Sequence, residues 1–136
     1  MKKIRVLLSK LGLDSHDRGI KILAQILRDS GMEIIYPGKF ETPEMVVQIA
    51  IQEDVDVIGL SMLSGGHLVL VPKVIDLLKT KSVRNDFLIL VGGVIPAEDI
   101  GRLKKKGVNE VFATSGTLGK DVVAYIQREL GKKNID

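Results

Sequence analysis

Apolar positions fall into two kinds of segment that alternate along this chain. Short runs rich in Val, Ile and Leu predict β-strands. They lie at residues 4–8, 32–36, 55–61, 87–91 and 110–112. Between them, longer stretches with helical spacing of apolar residues lie at 18–29, 43–53, 67–80, 97–106 and 118–130. The order strand, helix, strand, helix is therefore predicted throughout.

Residues that favour helix ends stand at the borders of these segments. Thr42 before Pro43 is typical of an N-cap followed by proline in the first turn, and Gly31 and Gly107 stand where helices often stop. Strands that alternate with helices predict a parallel sheet covered on both faces, because the crossovers are right-handed. We expect an α/β fold, a flavodoxin-like (Rossmann-like) doubly wound sheet of five parallel strands in the order 2-1-3-4-5.

The length of 136 residues fits a single domain over residues 1–136, with a frayed tail at 131–136. Hydrophobic residues make up 45% of the chain, which excludes a disordered protein. The first apolar run is interrupted by Arg5 and is too short for a signal peptide or a membrane span. We therefore expect a cytoplasmic protein that does not contact a membrane.

Composition removes several classes of function. The chain has no cysteine, which excludes disulfide scaffolds, thiolate metal sites and cysteine nucleophiles. Its 20 Lys and Arg exceed its 17 Asp and Glu only slightly, and it has no Trp, two Tyr and three Phe. Because nucleic-acid binders usually add aromatic stacking platforms to a basic surface, we expect no nucleic-acid partner. Any bound metal would need nitrogen or oxygen ligands.

The first candidate site is the long loop after the first strand, residues 9–19. His16 in this loop could be an acid or base, a metal ligand or a solvated side chain. Asp14 could accept a hydrogen bond from the second ring nitrogen of His16, as metal-bound histidines require. Lys10 could in turn bind Asp14. Gly19 would let a planar group approach the backbone. Alternatively, Asp14 or Asp17 caps the following helix and Gly19 merely begins it.

Two further loops follow the third and fourth strands. The third strand ends in Ser61-x-Leu63 and the fourth in Gly92-Gly93. Two glycines at the exit of a buried strand leave room for a ligand, although a Gly-Gly pair alone is more typical of a tight turn. His67 is expected at the first position of the third helix, and that structural place is favoured over a role facing a partner's active site.

Other functions of this fold lack their motifs. A phosphoacceptor receiver domain needs a carboxylate after the third strand and an acidic pair after the first, where this chain has Ser61 and an apolar, basic stretch. Neither a GxGxxG motif nor a P-loop motif is present. A flavodoxin would offer a Ser/Thr-rich first loop and stacking aromatics, and neither is found.

The motifs Asp14-x-His16-x-x-Gly19, Ser61-x-Leu63 and Gly92-Gly93 stand at the ends of the first, third and fourth predicted strands. Together they resemble the cobalamin-binding domain that takes the cofactor with its own base displaced from cobalt. The resemblance extends over roughly residues 4–130. It points to the methylmalonyl-CoA mutase family of adenosylcobalamin-dependent acyl-CoA mutases. That family includes isobutyryl- and 2-hydroxyisobutyryl-CoA mutases, whose cobalamin domain is a separate small subunit.

This resemblance implies a cofactor-ligand relay in the first loop. His16 would be the lower axial ligand of cobalt, Asp14 would accept a hydrogen bond from its other nitrogen, and Lys10 would lie behind Asp14. Gly19 would admit the edge of the corrin ring. Further cofactor contacts in this loop are expected from Ser15, Asp17 and Arg18.

The other motifs would bind the nucleotide tail. Ser61 would donate to or accept from the displaced dimethylbenzimidazole, Leu63 would line its channel, and Gly92 and Gly93 would leave space for the tail. Further tail contacts would come from Ser115, Gly116 and Thr117. The loop that carries these three departs from the family's Phe-Gly-Pro-Gly-Thr, because it lacks the proline and is one residue longer.

The function implied by the resemblance is that of the small subunit of a two-component acyl-CoA mutase, which catalyses carbon-skeleton rearrangement. A large (β/α)8-barrel subunit, expected to form a heterotetramer with this chain, would bind the acyl-CoA. Such a barrel needs about 250 residues, so the isolated chain is expected to be inactive. The alternatives are a non-catalytic cobalamin carrier or sensor, and a flavodoxin-like interaction module that binds no cobalt.

Overall fold

The computed structural model describes residues 3–11, 18–38, 41–62, 66–113 and 118–133. The strands within these ranges are β1 (Arg5–Lys10), β2 (Glu33–Ile35), β3 (Val57–Met62), β4 (Leu88–Gly93) and β5 (Glu110–Ala113). The helices are α1 (Arg18–Asp29), α2 (Pro43–Gln52), α3 (His67–Thr80), α4 (Ala97–Lys106) and α5 (Leu118–Lys133). A short 3-10 helix, Arg84–Asp86, precedes β4.

The strands form one parallel sheet in the order β2-β1-β3-β4-β5. This order confirms the predicted flavodoxin-like topology. The connection after β1 leads to one side of the sheet and the later connections lead to the other side, so the topological switch point lies between β1 and β3. Ligands of such sheets bind at the carboxyl ends of the strands near the switch point. The loops that carry the predicted motifs start at this edge.

Side chains along each strand point alternately to the two faces of the sheet, and this divides the core into two layers. Leu7, Ile58 and Ile89 belong to the layer covered by α2, α3 and α4. Their neighbours Val6 and Val57 belong to the layer covered by α1 and α5. Both faces of the sheet are therefore buried, as expected for a parallel sheet.

Most predicted element borders agree with the structure, and the helix-end residues account for several of them. The Thr42 hydroxyl accepts a hydrogen bond from the Met45 N–H at 3.2 Å, which caps α2. Gly31 and Gly107 follow α1 and α4 with φ values of +91° and +131°, angles that favour glycine. The bounds of α1, α3 and α4 are those that the sequence predicts.

Several elements extend further towards the C-terminus than predicted. β1 extends to Lys10 and β4 to Gly93, because the ladder with β3 continues through both. α5 runs to Lys133 and so includes residues predicted to belong to the frayed tail. Leu130 is buried, so packing supports the last turns of this helix. Within the part of the chain that the structure describes, no helix combines the length and the apolar character needed to cross a membrane.

Candidate functional site

A cavity of about 200 Å³ lies between the sheet and the helices α1 and α5. Its floor is formed by side chains and backbone of β1, β3, β4 and β5, and its walls by apolar residues of the two helices. The wall residues include Ile20, Leu23 and Leu27 of α1 and Val122 and Ile126 of α5. Ser61 is the one polar side chain among the described residues that line it. The cavity can therefore accept an apolar group with one hydrogen-bonding position.

Small residues on two central strands create this space. The last aligned row of the sheet runs Lys10, Ser61, Gly92, Phe112 across β1, β3, β4 and β5. The two middle positions carry the smallest side chains, while both ends carry large ones. Gly59 lies two residues before Ser61 on the same face of β3. These small residues leave a recess at the centre of the sheet, and α1 and α5 cover it.

The sequence analysis assigned no role to Gly59, although it lies on the floor of the cavity. A Cβ at this position would come within 2.8 Å of Leu8 Cδ2. A side chain here would push Leu8 aside or project into the cavity. A glycine inside a buried strand is itself a signal for close approach of a ligand or of backbone, and that signal was available in the sequence.

Gly92 and Gly93 both border the cavity, but they are glycines for different reasons. A Cβ on Gly92 would meet only the Phe112 carbonyl oxygen, at 3.5 Å. Gly93 has φ +124°, and a Cβ there would collide with the Met62 carbonyl. Backbone geometry thus requires glycine at 93, whereas at 92 a side chain would fit the backbone and fill the cavity.

Lys10 is fully buried at the end of β1. Its side chain lies on the same face of the sheet as Val6 and Leu8, beside Ser61. A buried ammonium group must be hydrogen-bonded or paired with an opposite charge. The partner predicted from the sequence, Asp14, lies outside the described residues.

Glu41 is a second buried charged residue at this edge, and the sequence analysis missed it. Its N–H donates to the Lys10 carbonyl at 3.0 Å, and the residue is 3% exposed. Its Oε2 atom is buried without a hydrogen-bond partner. Burial raises the pKa of the Glu41 carboxyl above its ordinary value of 4.5, because desolvation disfavours the charged form.

His67 begins α3, as expected, and it pairs with a residue that the sequence did not indicate. Its Nε2 lies 2.8 Å from Asp99 Oδ2 in the first turn of α4, and both side chains are about nine-tenths buried. The other ring nitrogen, Nδ1, is buried without a hydrogen-bond partner. This pair joins the helices that follow β3 and β4.

The remaining predicted site residues cannot be placed in this geometry. Asp14, Ser15, His16, Asp17, Leu63, Ser115, Gly116 and Thr117 lie outside the described residues. The residues that follow the first loop are described, since Arg18 and Gly19 begin α1. Gly19 lines the cavity, and among the described residues beyond its own helix turn a Cβ there would meet no atom within 4 Å. The structure therefore brings Gly19, Ser61, Gly92 and Gly93 to one cavity, and it places Lys10 beside Ser61 in the sheet.

Sequence comparison matches residues 4–128 to the B12 binding domain family. The small subunit of 2-hydroxyisobutanoyl-CoA mutase from Aquincola tertiaricarbonis is 54% identical over 109 residues, which are 80% of this chain and 79% of that protein. The small subunit of pivalyl-CoA mutase from Xanthobacter autotrophicus is 41% identical over 133 residues, 98% of this chain and 87% of that protein. These relatives have names of acyl-CoA mutase subunits and lengths similar to this chain.

Structural comparison finds the same fold in solved structures. A cobalamin-binding protein from Desulfitobacterium hafniense superposes with a TM-score of 0.81 and 25% sequence identity. The matched part covers 93% of this chain and 59% of that protein. The two proteins therefore share this fold over nearly the whole of the present chain.

Proposed function

Because this chain belongs to the B12 binding domain family, we propose that it is the cobalamin-binding small subunit of a two-component acyl-CoA mutase. The cofactor would be adenosylcobalamin, and the reaction would be a carbon-skeleton rearrangement of an acyl-CoA. The observation that carries the proposal is the apolar cavity behind Ser61 and Gly92. It lies in a chain that is similar, over 80% and 98% of its length, to the small subunits of two acyl-CoA mutases.

The cavity fits the part of cobalamin that must be buried when the cofactor's own base leaves cobalt. Dimethylbenzimidazole is a flat, largely apolar bicyclic base with a ring nitrogen that can accept a hydrogen bond. The lining offers apolar side chains on both sides and the Ser61 hydroxyl as the single polar group among the described residues. The base would enter between Gly92 and Gly19, since both residues border the cavity and neither carries a side chain that would fill it.

His16 would bind cobalt at the position that the base has left. In this proposal Asp14 holds the second nitrogen of His16 and so fixes its tautomer and orientation. Lys10 supports that relay because its fully buried ammonium group lies at the end of β1, from which the loop begins. These residues orient the cofactor and keep the imidazole neutral at the nitrogen that faces the metal.

Bound adenosylcobalamin supplies a cobalt–carbon bond whose homolysis starts the rearrangement, and the protein supplies position and exclusion of water. This chain would hold the lower face and the tail. Ile20 and Val122 would close the cavity over the base, so that water does not compete for it.

The upper face needs a second protein. The two relatives are named small subunits, so each is the smaller part of a larger enzyme. We propose a large (β/α)8-barrel subunit that binds the acyl-CoA and forms a heterotetramer with this chain. The isolated chain would bind cofactor without turning over substrate.

The cobalt ligand can be tested by electron paramagnetic resonance of the chain loaded with Co(II) cobalamin. With ¹⁵N-labelled histidine, we expect the hyperfine pattern to show one ¹⁵N ligand, and His16→Ala should abolish that pattern. The chain has two histidines, so His67→Gln is the matched control and should leave the pattern intact. If the hyperfine pattern of the wild-type chain is the same with and without labelled histidine, the assignment of His16 is wrong.

A further inference from the structure

Large apolar side chains that are more than a third exposed gather at one edge of the described structure. Among the described residues there are six such side chains, and four of them lie at this edge. The four, which we call the apolar edge patch, are Met45, Leu68, Val69 and Val94. They are between 37% and 59% exposed. The other two, Ile22 in α1 and Ile51 at the end of α2, lie away from the patch.

The topology of the sheet brings the members of the apolar edge patch together. Met45 lies in the first turn of α2, Leu68 and Val69 lie in the first turn of α3, and Val94 lies between β4 and α4. The three helices cover the same face of a parallel sheet, so each begins at the carboxyl edge beside its neighbour. The cavity lies on the opposite face, under α1 and α5. The patch therefore shares the carboxyl edge with the cavity but is separate from it.

Two contacts hold the parts of this surface in place. His67 Nε2 lies 2.8 Å from Asp99 Oδ2, which fixes the first turn of α3 against the first turn of α4. The Val94 N–H donates to the Met62 carbonyl at 3.1 Å, which fixes the connection before α4 to the end of β3. A surface that is already arranged loses little conformational freedom when a partner binds.

The area of the patch helps to decide which partner would cover it. Complete burial of one Val, Leu or Met side chain removes roughly 60–120 Å² of apolar surface from water. Because the four are about half exposed, docking on the patch would bury roughly 200 Å² of apolar surface. A stable interface needs about 800 Å² on each partner. The patch alone is too small for a stable dimer of this chain, and it suits a partner that gains further contact elsewhere on the same edge.

The charge around the patch also disfavours a second copy of this chain. Glu44 and Glu98 are exposed in the first turns of α2 and α4. None of residues 42–46, 66–70 and 94–99 is Lys or Arg, although the whole chain has 20 Lys and Arg against 17 Asp and Glu. Two copies joined through this surface would bring carboxylates close together, which is unfavourable. A partner with an apolar centre and basic residues around it would complement this surface.

We propose that the apolar edge patch is the surface on which the large mutase subunit docks, with basic residues of that subunit facing Glu44 and Glu98. A protein seated there would also lie over the carboxyl edge, where it would gain the rest of its contact from the bound cofactor. This inference rests on the proposed function, because it requires a large partner. It adds the part of this chain that the partner contacts directly.

The test measures association of the adenosylcobalamin-loaded chain with a candidate large mutase subunit from the same genome, by biolayer interferometry. The double variant Leu68→Ser with Val69→Ser should raise the dissociation constant about tenfold, because apolar contact is lost at the interface. The matched control is Ile22→Ser with Ile51→Ser, which removes two exposed apolar side chains outside the patch. The dissociation constant of this control should stay within about twofold of the wild-type value.

The charge argument has its own pair of variants. Glu98→Lys and Asp86→Lys change the net charge equally, but Asp86 lies in the 3-10 helix before β4, at the opposite edge of the sheet. Glu98→Lys should weaken association with the large subunit by about fivefold or more, since a like charge would face the partner's basic residues. Equal effects of the two variants would mean that only the overall charge of the chain matters, and the basic character assigned to the partner would be wrong.

Binding of the cofactor separates this surface from the cofactor site. Both double variants should bind cobalamin as tightly as the wild type does, and likewise cobinamide, the corrinoid that lacks the nucleotide tail. If the variant of Leu68 and Val69 loses affinity for cobalamin as much as for the large subunit, the patch belongs to the cofactor site and the docking role is wrong. Urea unfolding of each variant checks that it is folded.

Two further results would overturn the docking role while leaving the proposed function in place. One is wild-type affinity for the large subunit in the folded variant of Leu68 and Val69. The other is sedimentation of the isolated wild-type chain as a dimer and of this variant as a monomer, because a second copy would then cover the patch. If the loaded wild-type chain itself does not associate with the large subunit, the two-component function fails together with this inference.

Discussion

Replacing Gly92 by valine should fill the cavity while leaving the sheet intact. Gly92 lies in β4 with a backbone conformation outside the left-handed region, and its added Cβ would meet only the Phe112 carbonyl at 3.5 Å. Valine is favoured in strands. The added methyl groups would project on the cavity side, because Gly92 shares a face with Ser61 of β3.

The size of the effect follows from the area that the base would bury. A bicyclic base is about as large as a tryptophan side chain and would bury up to about 250 Å². At about 25 cal/mol per Å², its burial contributes up to about 6 kcal/mol. If valine displaces about a third of that area, the loss is about 2 kcal/mol, or about 30-fold in the dissociation constant of cobalamin.

The assay is calorimetric titration of wild-type and variant chains with cobalamin and with cobinamide. Gly92→Ala should give a smaller loss than Gly92→Val, because it adds one carbon to the same space. Gly101→Val is the control for the substitution itself, since Gly101 lies in α4 with no atom within 4 Å of an added Cβ. The Gly101→Val variant should bind cobalamin as tightly as the wild type does.

Two results would refute the reasoning about Gly92. An equal loss of affinity for cobalamin and cobinamide would mean that the variant damages the backbone or the corrin site and not the tail cavity. Unchanged affinity for cobalamin would mean that the base lies elsewhere. Urea unfolding of Gly92→Val should give a midpoint close to that of the wild type.

Three further predictions use other features of the site. Gly93→Ala should lower the free energy of unfolding by about 2 kcal/mol or more, because φ +124° is strained for a residue with a Cβ and the Met62 carbonyl blocks it; a urea midpoint equal to that of the wild type would contradict this. Glu41→Gln should stabilise the chain at pH 7 by roughly 1 kcal/mol, because it replaces a desolvated carboxylate. The folded-state pKa of Glu41 is raised above 4.5, so this group makes the wild type less stable as pH rises from about 4 through that pKa. The extra stability of Glu41→Gln over the wild type should therefore shrink towards pH 4. Urea unfolding of both proteins at pH 7 and pH 4 measures this, and an equal difference in the free energy of unfolding at the two pH values would contradict the prediction. Finally, a corrinoid with adenine as its lower base should bind about tenfold more weakly than cobalamin, since the described lining offers one hydroxyl for several polar atoms of a purine; equal affinities in competition would contradict the apolar character assigned to the cavity.

The sequence predicts the order of elements and several borders, because these depend on local patterns. Apolar runs and the Thr42 cap are visible within a few residues of one another. The ends of β1 and β4 were missed because Lys10 and Gly93 do not look like strand residues, and only their pairing with β3 makes them so.

The cavity could not be derived from local pattern, because it depends on register between strands. Ser61 and Gly92 become neighbours only when β3 pairs with β4. The contact between His67 and Asp99 likewise joins residues from different connections. Motif spacing indicated the strand ends at Ser61 and Gly92, which border the cavity. Neither Gly59 nor Glu41 belongs to a motif, and their positions follow from packing.

The central proposal, a cofactor-holding subunit that needs a large partner, is tested most directly by reconstitution. The chain, a candidate large mutase subunit from the same genome, adenosylcobalamin and several acyl-CoA esters are combined, and isomerised product is measured. Partner affinity is measured with and without cofactor. We expect no turnover by the chain alone, turnover of one ester by the mixture, and tighter association when adenosylcobalamin is present, because linkage between the two binding events is reciprocal. Turnover by the isolated chain, or association with the large subunit that is indifferent to adenosylcobalamin, would contradict this proposal.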